Sequence, residues 1–204
     1  MTQETKQHIT IDGNHIYRVD GIVKPGFSEI LASMGFEKNP YWTDSGRDEG
    51  TALHKWFEFL ARQPKKEDEN YDSEENCDEN KPDGRIAGKV RGISEFLYGH
   101  EFILKDSEKP LYAKAGYCCT PDAWGELDGV PCLIELKAGS PMKRHCLQTA
   151  AQQIALDDNG FKTEARYVLY LREEGYVLKV HEDSEDIDAW MSILWAYHAK
   201  EIYK

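Results

Sequence analysis

Three charged residues in the second half of the chain lie inside or beside apolar segments, where a charge is costly unless it is paired or bound to a metal. They are Asp122, which follows a proline, and Glu135 and Lys137, which are two positions apart. Because side chains alternate across a strand, Glu135 and Lys137 are predicted to share one face. Asp122, Glu135 and a strand carbonyl would form an oxygen-only site suited to Mg²⁺ or Mn²⁺, with Lys137 poised to act on the attacking water. The combination predicts metal-assisted hydrolysis of a phosphodiester.

The same three residues also have a structural interpretation. A Glu-x-Lys pair on a strand is commonly a simple ion pair on a solvated face. The apolar neighbours Leu133, Ile134 and Leu136 instead indicate a buried strand, in which unpaired charges are unfavourable. The sequence therefore favours a functional site over a surface ion pair.

Hydrophobic periodicity predicts the elements that must position this site. Strands are predicted at 101–105, 116–120 and 131–137, and a hairpin turn at Asp128-Gly129 between the last two would carry Asp122 to Glu135. Helices are predicted at 25–35 with Ser28 as N-cap, at 44–62, from 86 to 97, at 143–158 and at 184–203; a second hairpin is predicted at 166–180, and one or two edge strands at 9–19. This order predicts an α/β fold with a central mixed β-sheet flanked by helices.

Composition limits the class of protein. The 204 residues, 40% of them hydrophobic, are predicted to form a single domain over 1–204. There is no apolar run of roughly 20 residues and no secretory signal, so a soluble, cytoplasmic protein without membrane contact is expected. The five cysteines form no Cys-x-x-Cys pair and are interpreted as reduced packing residues. The polar, acidic segment 63–84 is predicted to be an exposed, mobile insertion.

The formal net charge of −12 disfavours broad contact with nucleic acid. Most of this excess lies in segments 65–85 and 173–188, which leaves room for a locally positive groove elsewhere. Lys143 and Arg144 begin a predicted helix together with His145. They are candidates for holding DNA phosphate with the helix N-terminus, although they would equally well solvate a loop.

Taken together, these motifs resemble the PD-(D/E)XK nuclease superfamily, specifically its RecB-type and lambda-exonuclease-like DNA exonucleases. The likeness rests on Gly-Thr-Ala-Leu-His at 50–54, Ser-Glu-Lys-Pro-Leu at 107–111, Ala-Gly at 115–116 ahead of the Pro-Asp pair, and the Glu-x-Lys strand. Matched positions run from about 25 to 180. The resemblance implies a restriction-endonuclease-like core.

The resemblance also implies roles for individual residues. Asp122 and Glu135 would be metal ligands, Lys137 the catalytic lysine, and Glu108 and His54 further members of the metal site. On the residues alone, His54 could be a hydrogen-bonded structural histidine and Glu108 an ordinary exposed acid. Glu58, one helical turn after His54, could join the site or form a surface salt bridge.

Two further positions follow from the family pattern. Gln148 matches the Gln of the family's Gln-x-x-x-Tyr helix, which implies contact with DNA, whereas Gln152 stands where the Tyr is expected. Some relatives hold an iron–sulfur cluster through C-terminal cysteines. No cysteine follows Cys146, so no cluster is expected here.

The function implied is a Mg²⁺- or Mn²⁺-dependent deoxyribonuclease, acting as an exonuclease on DNA ends in phage or recombination and repair processes. DNA would be its substrate, and a homo-oligomer or a recombination partner protein is conceivable. A structure-specific endonuclease on the same fold is the alternative within enzymes. The acidic net charge keeps open a non-catalytic DNA mimic or inhibitory module.

Overall fold

The computed structural model describes residues 7–13, 15–36, 44–63 and 82–204. The predicted insertion at 63–84 therefore falls almost entirely outside the described residues. The elements are, in chain order, β1 (Ile9–Ile11), β2 (Tyr17–Val19), β3 (Ile22–Lys24), α1 (Phe27–Ser33), α2 (Asp44–Ala61), α3 (Ala87–Gly99), β4 (Phe102–Ser107), β5 (Leu111–Ala113), β6 (Tyr117–Cys119), β7 (Ala123–Leu127), β8 (Val130–Lys137), α4 (His145–Asp158), β9 (Ala165–Arg172), β10 (Gly175–Val180) and α5 (Glu185–Ile202).

A five-stranded mixed sheet forms the centre of the fold, in the order β10-β9-β8-β7-β4. Only β8 and β9 pair in parallel, because α4 connects them as a crossover helix, whereas the other neighbours are antiparallel. Two smaller sheets, β1-β2-β3 and β5-β6, accompany it. The prediction of an α/β fold with a central mixed sheet flanked by helices is confirmed.

Helices cover both faces of this sheet, because apolar side chains of its strands point to both sides, as in β8. Leu133 belongs to a core formed with α1, α4 and α5, whereas Ile134 belongs to a second core formed with α2 and α3. Alternate residues of the strand thus enter different cores, and both are fully buried. Glu135 and Lys137 follow the alternation of Leu133, which directs them toward α4.

The structure corrects the predicted partner of the Asp128-Gly129 hairpin. This turn joins β7 to β8, and β7 was not predicted; the predicted strand at 116–120 becomes β6, which pairs with β5 instead. β7 contains Gly125, which weakens a strand pattern. The glycine is required because a Cβ there would lie 2.0 Å from the carbonyl oxygen of Ile103, where the pairing of β4 with β7 shifts register.

Asp-Gly turns form two of the hairpins, and one of them joins the strands β7 and β8 beside the site. Asp128 and Gly129 both have positive φ values, of 51° and 81°, which is the backbone of a tight hairpin turn. The predicted edge strands at 9–19 are present as β1 and β2, and a turn at Asp20 and Gly21 with the same backbone geometry adds the unpredicted β3 beside them.

The remaining elements lie close to the predicted positions. The helix predicted at 25–35 begins at Phe27, and its N-cap is Gly26 rather than the predicted Ser28. The helix predicted at 44–62 is α2, and the final helix is α5. Within the described parts of the chain, no helix has both the length and the apolar composition required to cross a membrane.

Candidate functional site

Asp122 and Glu135 meet where β7 begins and β8 nears its end. Ala123 pairs with Ile134, so the preceding Asp122 comes opposite Glu135. The Oδ2 atom of Asp122 accepts a hydrogen bond of 2.7 Å from the backbone N–H of Leu136. Asp122 is 7% exposed and Glu135 is 1% exposed. The predicted approach of the two carboxylates is therefore confirmed, through β7 instead of the strand that was predicted.

His54 reaches the same place from α2. Leu53 and Phe57 bury the apolar face of this helix in the core, which leaves His54 beside the sheet edge. Its Nε2 atom lies 3.5 Å from Oδ2 of Asp122, and its Nδ1 atom lies 2.7 Å from Oε1 of Glu108. The imidazole therefore bridges two carboxylates that belong to different strand ends.

Glu108 follows β4 in a backbone conformation that non-glycine residues rarely adopt, with φ of 49°. Its N–H points to the carbonyl oxygens of Pro121 and Asp122, each at 3.2 Å. These hydrogen bonds fasten the end of β4 to the Pro-Asp segment. The left-handed backbone is then stabilised by its surroundings and directs the carboxylate to His54.

His54, Glu108 and Asp122 form the candidate metal group. Each offers one ligand atom, and these atoms all lie within 4.8 Å of one another, so the group could hold a metal ion. Carboxylate oxygens suit Mg²⁺ and Mn²⁺, and an imidazole nitrogen is accepted more readily by Mn²⁺ and other transition metals. The donor set thus fits one divalent cation, and its ligand types suit either Mg²⁺ or Mn²⁺.

Glu135 lies next to this group but faces other partners. Its Oε1 atom forms an ion pair with Nζ of Lys137 and accepts a hydrogen bond of 2.5 Å from Nε2 of Gln148. Its Oε2 atom accepts a hydrogen bond of 2.7 Å from Nε2 of Gln152. Glu135 and the three residues that hold its buried carboxylate, Lys137, Gln148 and Gln152, are called the buried carboxylate cluster below. The metal-ligand role of Glu135 stays a prediction, as does the contact of Gln148 with DNA.

The charges at the site shift one another's protonation. Burial lowers the pKa of His54, but the carboxylates of Asp122 and Glu108 outweigh it and raise the pKa to about 9. Burial, and then the charge of Asp122, raise the pKa of Glu135, with Lys137 opposing them. Burial lowers the pKa of Lys137, but Glu135 and Asp122 raise it by more. At neutral pH His54 and Lys137 are therefore both cationic and offset part of the negative charge of the three carboxylates, and a metal ion at His54 would replace a proton there.

Two buried polar atoms beside the site have no hydrogen-bond partner among the described residues. They are Oγ of Ser107, which precedes Glu108, and Oε1 of Gln152, which contacts Glu135 through its other end. Buried polar atoms are normally paired with protein or water. Their position next to the acids is consistent with a site that completes its hydrogen bonds with water or a bound group.

The basic residues at the start of α4 divide into exposed and buried positions. Lys143 is exposed and Arg144 is half-buried, and their contact with DNA stays a prediction. His145 is only 6% exposed and its Nδ1 atom lies 2.8 Å from the hydroxyl of Tyr170. Burial, with a contribution from Lys137, lowers the pKa of His145 to about 4. This histidine is a core residue and adds no charge to the cluster at neutral pH.

Other candidates proved structural. Glu58 forms an ion pair of 3.0 Å with Arg62 on the helix surface, which is the alternative that the sequence had left open. Cys118 and Cys119 are buried in β6, as expected for packing residues.

Two contacts could not be assigned from the sequence. Gln152 was noted only as a departure from the family pattern, and its spacing of four from Gln148 was the available signal. Tyr17, in the N-terminal sheet, places its hydroxyl 3.0 Å from Oγ1 of Thr120, two residues before Asp122. No local pattern indicates a contact across this sequence distance.

Comparison with known proteins adds no family assignment: no protein-family model matches the chain, and no curated protein matches it either. The geometry of the site and the motif resemblance are therefore what indicate a function for this chain.

Proposed function

We propose that this protein is a divalent-metal-dependent deoxyribonuclease with a restriction-endonuclease-like core, which hydrolyses phosphodiester bonds at DNA ends. One observation carries the proposal: the candidate metal group and the buried carboxylate cluster adjoin through Asp122 and Glu135. A cation site and a lysine ammonium would then act on the same phosphate.

His54, Glu108 and Asp122 would hold the cation in this proposal. A bound divalent cation would neutralise phosphate charge and favour the formation of hydroxide at neutral pH. The side chain of Asp122 is fixed in position, because its Oδ2 atom also accepts a hydrogen bond from the N–H of Leu136. Ligands held in this way would not need to reorganise when substrate arrives.

Lys137 would stabilise the negative charge that develops on the phosphate. Its side chain is 25% exposed, whereas its partner Glu135 is almost fully buried, so the pair runs from the core to the surface. A phosphate would approach the ammonium from the exposed side of Lys137. The raised pKa keeps the proton on Nζ at neutral pH.

The DNA backbone would be held by Lys143 and Arg144 at the start of α4, with Gln148 nearer to the site. A short contact of this kind suits an acidic protein, because a long duplex footprint would bring its negative surface against phosphate. The choice of DNA ends, and of a role in phage or recombination and repair processes in the cytoplasm, comes from the motif resemblance. An endonuclease on the same fold is the alternative outcome.

The net charge of −12 favours one competitor from another class, a non-catalytic module that mimics DNA. The buried charges argue against it, because an unbound structural sheet gains little from placing two carboxylates and an ammonium at one point. A DNA mimic would need its acids on the surface, whereas Asp122 and Glu135 are buried.

The test incubates the protein with end-labelled linear DNA and closed circular DNA, single- and double-stranded, in Mg²⁺, Mn²⁺ or EDTA. Variants Asp122→Asn and His54→Gln remove metal ligands, and Asp188→Asn and His8→Gln make the same changes at exposed residues outside the site. Circular dichroism verifies that each variant is folded.

Metal-dependent loss of linear DNA only, abolished by the two site variants and retained by the two controls, supports an exonuclease using this site. Cut or nicked circles would instead support the endonuclease. No cleavage of any substrate by the wild-type protein would refute a nuclease and favour the DNA-mimic hypothesis.

A further inference from the structure

We propose that Gln152 is a positioning residue, which holds the second oxygen of Glu135 and thereby keeps this carboxylate turned toward Lys137. The inference rests on the proposed function, because it assigns Gln152 a role in that reaction. Gln152 itself is 1% exposed and cannot touch a substrate. Any effect it has must therefore pass through Glu135.

Two amides on one helix hold the two oxygens of one carboxylate. Gln148 donates to Oε1 of Glu135 and Gln152 donates to Oε2, and residues four apart on a helix lie on the same side. Lys137 pairs with Oε1 as well. Because both oxygens are engaged, rotation of the Glu135 carboxylate would break at least one hydrogen bond to a charged group.

The orientation of the Gln152 amide indicates that its hydrogen bond to Glu135 is the contact that determines its position. Its Nε2 atom faces Glu135, and its Oε1 atom is buried without a partner among the described residues. The opposite orientation would bring Oε1 against the carboxylate oxygen and would be repulsive. A glutamine with only a packing role would be expected to satisfy both ends. Here one end remains unpaired while the other binds the anion.

The consequence for Lys137 follows from this arrangement. With Oε2 held by Gln152, Oε1 stays directed at the ammonium and fixes its position at the edge of the core. Without that donor, only Oε1 of Glu135 is held, by Gln148 and Lys137, so the carboxylate can turn about this contact and draw Nζ away from the phosphate. Since a hydrogen bond to a charged group is lost, kcat should fall about tenfold. KM should stay near the wild-type value.

The test compares Gln152→Met with Gln153→Met in the whole 204-residue chain. Methionine has nearly the length of glutamine and removes the donor together with the unpaired oxygen, so the packing is kept while the hydrogen bond to Glu135 is lost. Gln153 is the matched control, because its Nε2 atom donates to the carbonyl of Thr163 away from the site. We expect a lower kcat with unchanged KM for Gln152→Met only, and a lower unfolding midpoint in both variants, because each loses a side-chain hydrogen bond. Equal kcat in both variants would overturn the inference.

A spectroscopic measurement decides the contact independently of activity. The side-chain amide signals of Gln152 in ¹H–¹⁵N spectra should shift strongly in Glu135→Gln, whereas those of Gln153 should not. Unshifted Gln152 signals would overturn the inference whatever the activity. A wild-type protein that cleaves no DNA but shows the shift would refute the proposed nuclease and leave the positioning of Glu135 by Gln152 supported.

Discussion

Replacement of Lys137 by methionine should destabilise the fold more than replacement of its partner Glu135 by glutamine. Lys137→Met leaves a carboxylate that is 1% exposed without its counter-charge, whereas Glu135→Gln leaves an ammonium whose side chain is 25% exposed and can reach water. Breaking a buried ion pair costs about 3–5 kcal/mol. Gln148 and Gln152 still donate to Glu135 in the Lys137→Met protein, so the lower end of this range applies.

The expected loss for Lys137→Met is thus about 3 kcal/mol, which corresponds to a fall in Tm of about 6–12 °C for a chain of this size. Glu135→Gln should cost less, about 1–2 kcal/mol, since the half-buried side chain of Lys137 can turn its ammonium toward solvent. The double variant Glu135→Gln/Lys137→Met should recover most of the loss, because no unpaired charge remains in the core.

Urea unfolding followed by circular dichroism measures all three free energies. Lys179→Met serves as the matched control, because it removes an exposed strand lysine. A Lys137→Met protein within about 0.5 kcal/mol of wild type would refute the argument from burial. So would a double variant that is no more stable than Lys137→Met. The folded double variant should also be inactive in the nuclease assay, which separates catalysis from folding.

Three further predictions concern single residues. Because Glu108 has φ of 49°, Glu108→Gly should be about 1 kcal/mol more stable than Glu108→Ala in urea unfolding, although both lose Mn²⁺ affinity by calorimetry; equal stabilities would contradict the assigned backbone strain. The pKa of His145 falls from 6.5 to about 4 on folding, so neutral His145 stabilises the protein above pH 6.5 and up to about 3 kcal/mol is lost as the pH falls toward 4. His145→Gln should lack this part of the acid sensitivity, and identical pH profiles of unfolding would count against it. Gly125→Ala should lose at least about 2 kcal/mol, because its Cβ would meet the Ile103 carbonyl, whereas Gly139→Ala, with nothing within 4 Å, should differ little in Tm.

Local patterns predicted the strands and helices that carry strong periodicity. β8 was placed almost to the residue because its apolar run is continuous and its charges alternate. β7 was missed because Trp-Gly-Glu shows no alternation, and its formation depends on a close approach to β4 that only the folded chain reveals. The turn at Asp128-Gly129 was recognised from its chemistry even though its first strand was not.

The sequence predicted which residues come together but not which contacts each of them makes. His54, Glu108, Asp122, Glu135 and Lys137 do gather in one place. The sequence could not show that Glu108 adopts a left-handed backbone, since this depends on hydrogen bonds to the Pro-Asp segment. It also could not show which groups hold the two oxygens of Glu135. That depends on amides contributed by α4, where a glutamine usually indicates only a polar helix face.

The hydrogen bond from the N–H of Leu136 to Asp122 makes one side chain both a member of the site and a register marker for the sheet. A slip of β8 by one residue would turn Glu135 toward the opposite core and remove this N–H from the reach of Asp122. A misregistered chain would therefore lack the cluster of acids altogether. Binding of a metal ion at this point would stabilise only correctly paired chains, and would thereby favour the native register of β8 late in folding.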